Sequence, residues 1–139
     1  MSVKEIKALE RRFFEAMNRG LSAISAVIDD DCSTSYVYHS GLGSEIRGTD
    51  AFKQFMSGFG AFSDLHVTLD DMIVEGDKAV SRHTFTGTHK GEWRGLPPTN
   101  KKVTFWAIMI VRIVGGKQVE IWERSDTLGL MQQLGLCKQ

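Results

Sequence analysis

The sequence predicts an α+β fold in which an antiparallel sheet carries helices on one face. Three observations predict it. Apolar residues recur at three- and four-residue steps through the first fifth of the chain and again near residue 55. From residue 65 the pattern changes to runs rich in Val, Ile, Thr, Phe and Trp, separated by glycine-bearing turns. Helices come first and strands follow without βαβ alternation, which argues against a parallel sheet.

Taken in order, Ile6, Leu9, Phe13, Ala16 and Met17 form one stripe of a helix over 3–19, with Lys4, Arg11, Glu15 and Asn18 left for water. Gly20 is its stop, and Leu21, Ile24 and Ile28 suggest a further helical turn before Asp29-Asp30-Asp31. Tyr36, Val37 and Tyr38 read as a strand ended by the Gly41 and Gly43 loop. Thr49 or Asp50 can cap a second amphipathic helix whose Phe52, Phe55, Met56 and Phe59 share a face. Strands are expected over 65–74, 78–89, 102–114 and 118–125, and a short closing helix over 127–134. Glu75-Gly76-Asp77-Lys78 joins the first pair and Val114-Gly115-Gly116-Lys117 the last pair, as a tight hairpin. Gly91 to Lys102, with Pro97-Pro98, is the connecting loop between the pairs.

At 139 residues the chain suits one domain with one core. Seventeen Lys and Arg balance seventeen Asp and Glu, so no net charge draws it towards nucleic acid or an anionic membrane. Cys32 and Cys137 allow a single disulfide but no disulfide framework, and neither stands at zinc-ligand spacing from another Cys or His. The charged N-terminus is no signal peptide, and the longest apolar run, Phe105 to Val111, is too short to span a bilayer. A soluble, cytoplasmic protein is expected.

From Val74 onward the sequence acquires family features. Glu75-Gly76-Asp77, then GTHKGEWRGLPPT over 87–99, then the Arg112–Lys117 turn, then Trp122, Asp126 and LGLMQQLG over 128–135 together resemble the SnoaL-like polyketide cyclases, within the nuclear transport factor 2-like superfamily. The resemblance implies a strongly curved sheet wrapped round the N-terminal helices, a cone with an internal apolar pocket. It implies homo-oligomers, dimers or tetramers, and a small hydrophobic or aromatic ligand. It also implies no metal and no organic cofactor: an aspartate acts as the base of an intramolecular aldol ring closure, and Asp126 is the matching position.

The residues themselves support that role in part. A two-residue turn at Gly115-Gly116 would oppose Met109 with Trp122 and Phe105 with Asp126, placing Trp122, Arg124 and Asp126 on the face of Phe105, Ala107 and Met109. A carboxylate among apolar groups has its pKa raised, as abstraction of a proton next to a carbonyl requires. Two other roles stay open for Asp126: cap of the closing helix, or ion-pair partner of Arg124. His83 shares strand parity with Phe85 and could hold an enolate oxygen. His39 ends the first strand near the pocket mouth. Phe55, Phe59, Phe105, Met109 and Trp122 are the candidate substrate-binding walls, and Trp93 belongs to the exposed loop.

Three functions compete. The first is a cyclase, with Asp126 as base and His83 as enolate donor. The second is a binding protein for a small lipophilic molecule, since fold alone does not fix function. The third is an epoxide hydrolase of the limonene type, which needs an Arg-x-Asp pair where this chain has Arg82-His83-Thr84. A ketosteroid isomerase is disfavoured too, because no clear tyrosine and protonated-acid pair is placed for an oxyanion hole.

Overall fold

A computed structural model describes residues 1–41 and 43–136. Cys137 lies outside the described residues, so its pairing with Cys32 does too; Cys32 is buried, its sulfur 3.9 Å from Gln118 Oε1. The elements run α1 (Val3–Arg19), α2 (Leu21–Asp31), β1 (Cys32–His39), β2 (Glu45–Arg47), α3 (Thr49–Ser57), a 3-10 turn (Gly58–Ala61), β3 (Phe62–Glu75), β4 (Lys78–His89), β5 (Lys102–Val114), β6 (Lys117–Ser125) and α4 (Thr127–Gln133). Helix α1 starts with a capping box, Ser2 and Glu5 satisfying each other's backbone N–H groups. Helix α3 starts without one. Thr49 and Asp50, the expected caps, lie inside its first turn, and Gly48 at φ 88° makes the entry bend.

One six-stranded sheet has the order β2-β1-β6-β5-β4-β3. All pairs are antiparallel except β1 with β6, which run parallel. The sheet curves, and its irregularities show where. Register shifts interrupt β3–β4 between Ser63 and His66 and between Leu69 and Asp71, and such bulges increase bend and twist. At the first, Asp64 adopts φ 56° and its carboxylate accepts from the Thr88 N–H at 2.9 Å. Gly87 lies opposite this bend, where a Cβ would come within 3.1 Å of Phe62 Cβ.

Strand alternation separates the two faces. On β5, Val103, Phe105, Ala107, Met109, Val111 and Ile113 are buried, whereas Trp106, Ile108, Ile110 and Val114 are exposed. The buried set meets Ile6, Leu9, Phe13 and Phe14 of α1, Ile24 and Ile28 of α2, and Phe52 and Met56 of α3. Helices therefore fill the concave side, as the periodicities require.

The β5–β6 hairpin differs from the register read off the sequence. Val114 faces Lys117 and Ile113 faces Gln118, but Arg112 then faces Glu120, so Val119 is an extra residue. Beyond that bulge every partner is displaced by one: Met109 opposes Glu123, and Ile110 opposes Trp122. A one-residue slip exchanges the faces of a strand. Ile121, Glu123 and Ser125 consequently point inward, and Trp122 and Arg124 outward.

Candidate active site

The helices leave part of the inner side of the sheet unfilled. A cavity of about 270 Å³ remains there, walled largely by aromatic side chains. Phe13 and Phe14 come from α1, Phe52 and Phe55 from α3, Phe85 from β4 and Phe105 from β5, with Phe59 of the 3-10 turn and Met109 of β5 completing the wall. The rings of Phe59, Phe85 and Phe105 stack in series, with centroids 6.0 and 5.0 Å apart and interplanar angles of 10° and 22°. Such a surface offers flat faces to a flat ligand. The expected wall residues Phe55, Phe59, Phe105 and Met109 all lie on it.

Few polar groups interrupt this wall. Glu123 reaches it from β6, and Tyr38, on the neighbouring strand, donates its hydroxyl to Glu123 Oε2 at 2.9 Å. Burial, and then the adjacent Glu123 charge, push the Tyr38 phenol well above its ordinary pKa, so it stays a donor. His83 lines the cavity from β4, 2% exposed, with ring centroids 4.8 Å from Phe14 and 5.0 Å from Phe85. Burial lowers its pKa to about 4, so the imidazole is neutral near pH 7. Its Nδ1 lies 3.5 Å from Ser81 Oγ. Glu92 and Arg94 lie at the rim with Trp93, which is half-buried and packs edge-on against Phe62 at 5.6 Å, not free in the loop.

Three expected site residues lie elsewhere. Asp126 follows β6 and caps α4, accepting from the Gly129 N–H at 3.0 Å. Its neighbours Ser125 and Thr127 reach the cavity wall, but Asp126 does not. The Val119 bulge is the reason, and the same bulge turns Trp122 outward. His39 is outward too, because β1 alternation buries Tyr36 and Tyr38 instead. There it stacks on Trp122 at 5.5 Å and 9° and bonds Glu120 at 2.7 Å. Arg124 bonds the carbonyls of Ser40 and Glu123, not Asp126.

Sequence reasoning missed Glu123, Tyr38 and Arg94. Parity alone would have found Glu123 only if the bulge had been read first. It also gave His89 no role, whereas His89 is fully buried and braces the loop: its Nδ1 accepts from the Thr99 N–H at 3.2 Å and its backbone bonds Asn100 and Lys101.

Other chemistries lack their parts among the described residues. No cluster of His, Cys, Asp and Glu suits a metal ion, and no helix is long and apolar enough to cross a membrane. The epoxide-opening arrangement is not assembled at Arg82-His83-Thr84 either: Arg82 and Thr84 turn outward, where both meet Asp70.

An aromatic cavity reached by Glu123 and His83 on a curved sheet defines a class of small pocket proteins. The family model for SnoaL-like polyketide cyclase matches residues 8–134, and the chain belongs to that family. It is 28% identical over 134 residues to the aklanonic acid methyl ester cyclase DnrD of Streptomyces peucetius, covering 91% of this chain and 88% of that one. Among solved structures, TsrD of Streptomyces laurentii is 30% identical with a TM-score of 0.86 over 99% of both chains. AclR of Streptomyces galilaeus is 32% identical with a TM-score of 0.84, over 99% of this chain and 85% of its own.

Proposed function

We propose that the chain is a ring-closing enzyme of the aldol type, working on an aromatic polyketide without a cofactor, with Glu123 in the role that the resemblance gives to Asp126. The observation that carries this reading is the Tyr38–Glu123 pair inside an aromatic cavity. Glu123 takes the acidic C–H proton between two carbonyls of the substrate. The electron pair delocalises over the substrate's own enolate, and a neutral His83 N–H donates to the developing oxyanion. The enolate carbon then attacks a ketone carbon, the new alkoxide takes the proton back from Glu123, and no proton is gained or lost overall. The protein contributes one base, one donor and a shaped wall that holds the two carbons in reach.

The test is conversion of aklanonic acid methyl ester, the compound in the relative's name, by wild type and Glu123→Gln. Loss of roughly 10²- to 10⁴-fold in rate with an unchanged melting temperature is expected for a general base. A wild-type protein that binds the compound in the cavity and never closes the ring would favour the second reading, a carrier of lipophilic molecules. The stacked Phe59, Phe85 and Phe105 rings would serve that role equally well.

We also propose a homo-oligomer in which a second copy covers the outer face of β5. Trp106 is 49% exposed there, and Ile108 and Ile110 are each 38% exposed. Beside them Glu120 bonds both His39 and Arg112, so these three groups need no partner from a second copy.

A further inference from the structure

Arg94 holds an unusual position. Trp93 and Leu96 exchange two backbone hydrogen bonds, at 3.1 and 2.9 Å, around the pair Arg94-Gly95. Both central residues have positive φ, 51° and 79°, as in a type I′ turn. Glycine, asparagine and aspartate adopt the first of these positions most readily, so an arginine is held there at a backbone cost. The turn is nevertheless fixed in place. The Lys90 and Gly91 N–H groups both bond the Ala61 carbonyl, and Trp93 packs on Phe62.

The Arg94 guanidinium lies 5.0 Å from the Trp93 ring centroid and forms part of the cavity wall. Among the described residues no carboxylate pairs with it. Its charge is felt inside the cavity, where it opposes the upward shift of the Tyr38 phenol. A cation at the rim, oriented by an aromatic ring and with no carboxylate paired to it among the described residues, fits a substrate anion. A guanidinium presents paired donors that match a carboxylate.

We propose that Arg94 is a specificity-determining residue that receives a free carboxylate on an aromatic substrate, whose rings lie along Phe59, Phe85 and Phe105. The inference rests on the cavity being the substrate site, and it sets this chain apart from a relative named for a methyl ester.

The experiment titrates the full chain with anthraquinone-2-carboxylate and with its methyl ester, following heat and tryptophan fluorescence. Wild type is expected to bind the acid at least tenfold more tightly than the ester. Arg94→Gln should bring the two to equal affinity while leaving the ester unchanged, and Arg94→Lys should keep part of the preference. Glu123→Gln, which removes an anion from the cavity, should keep or increase the preference. If that pattern is found while Glu123→Gln still closes rings, the aldol mechanism fails and this inference stands. Equal affinities in wild type, a preference that survives in Arg94→Gln, or no binding of either probe would overturn it.

Discussion

Tyr38 and Glu123 meet across the parallel seam between β1 and β6, the phenol donating to the carboxylate at 2.9 Å. The contact couples β1 to β6, so the proposed base is positioned by a residue 85 away in sequence. A hydrogen bond to a charged group contributes about 1.5–3 kcal/mol. Tyr38→Phe removes it while keeping the ring against Phe52 and Phe55. The expected outcome is a kcat lower by roughly tenfold to a hundredfold with KM little changed, read by steady-state kinetics.

Asp126 and Glu123 separate stability from chemistry. Asp126→Ala removes the α4 cap and is expected to cost about 1 kcal/mol of stability, a fall in melting temperature of roughly 4 °C, with ring closure retained. Gly129→Ala should act in the same direction, since a Cβ there would come within 2.2 Å of Asp126 Oδ2. Glu123→Gln should do the reverse and spare stability while removing activity. Thermal melts and turnover on the same samples check both, and an inactive, fully stable Asp126→Ala would return the base to Asp126.

The contrast marks what the sequence could and could not disclose. Periodicity located α1, α3 and the four long strands because each signal is local, a stripe or an alternation. The walls Phe105 and Met109 followed because alternation on β5 is unbroken through that stretch, and Phe55 and Phe59 because they share the apolar stripe of α3 and the turn after it. The β6 side failed on a single residue. Val119 inserts a bulge that no propensity announces, and everything beyond it changed face, so Asp126 and Trp122 were read as inward and Glu123 was passed over. Strand β2 is three residues long, too short for any pattern. His39 was placed by its position at the end of β1 and not by parity: Tyr36 and Tyr38 take the inward positions, which leaves His39 on the outer face.

Two buried ionisable groups set opposite slopes of stability against pH. Burial, then Asp31, raises the Glu10 pKa to about 8, with Gln118 donating to Glu10 Oε1 at 2.8 Å. A carboxyl raised in the fold holds more protons folded than unfolded, so its contribution is full below pH 4.5 and is lost as pH rises towards 8. His83 is lowered from 6.5 to about 4, so its contribution is full above 6.5 and is lost as pH falls towards 4. Each slope is at most about 1.4 kcal/mol per pH unit. Denaturant melts from pH 4 to 9 should show Glu10→Gln flattening the alkaline limb and His83→Phe the acid limb. Because His83 stays neutral above about 4, no activity step near pH 6.5 should be removed by His83→Gln.

The outer face of β5 gives the last test. Trp106, Ile108 and Ile110 are exposed at alternate positions of one strand, with His39 stacked on Trp122 beside them. Lone exposed apolar residues need no explanation, but a contiguous row of large ones marks an interaction surface. Trp106→Glu places a charge in the middle of that row without touching the inward side chains Phe105 and Ala107. Sedimentation velocity should show wild type as a dimer or larger and Trp106→Glu as a monomer with the same circular dichroism. The cavity opens on the opposite side of the sheet, so the monomer should keep most of its affinity for an aromatic acid. A monomeric wild type would leave the row without a second copy to cover it, and the oligomer proposal would fall.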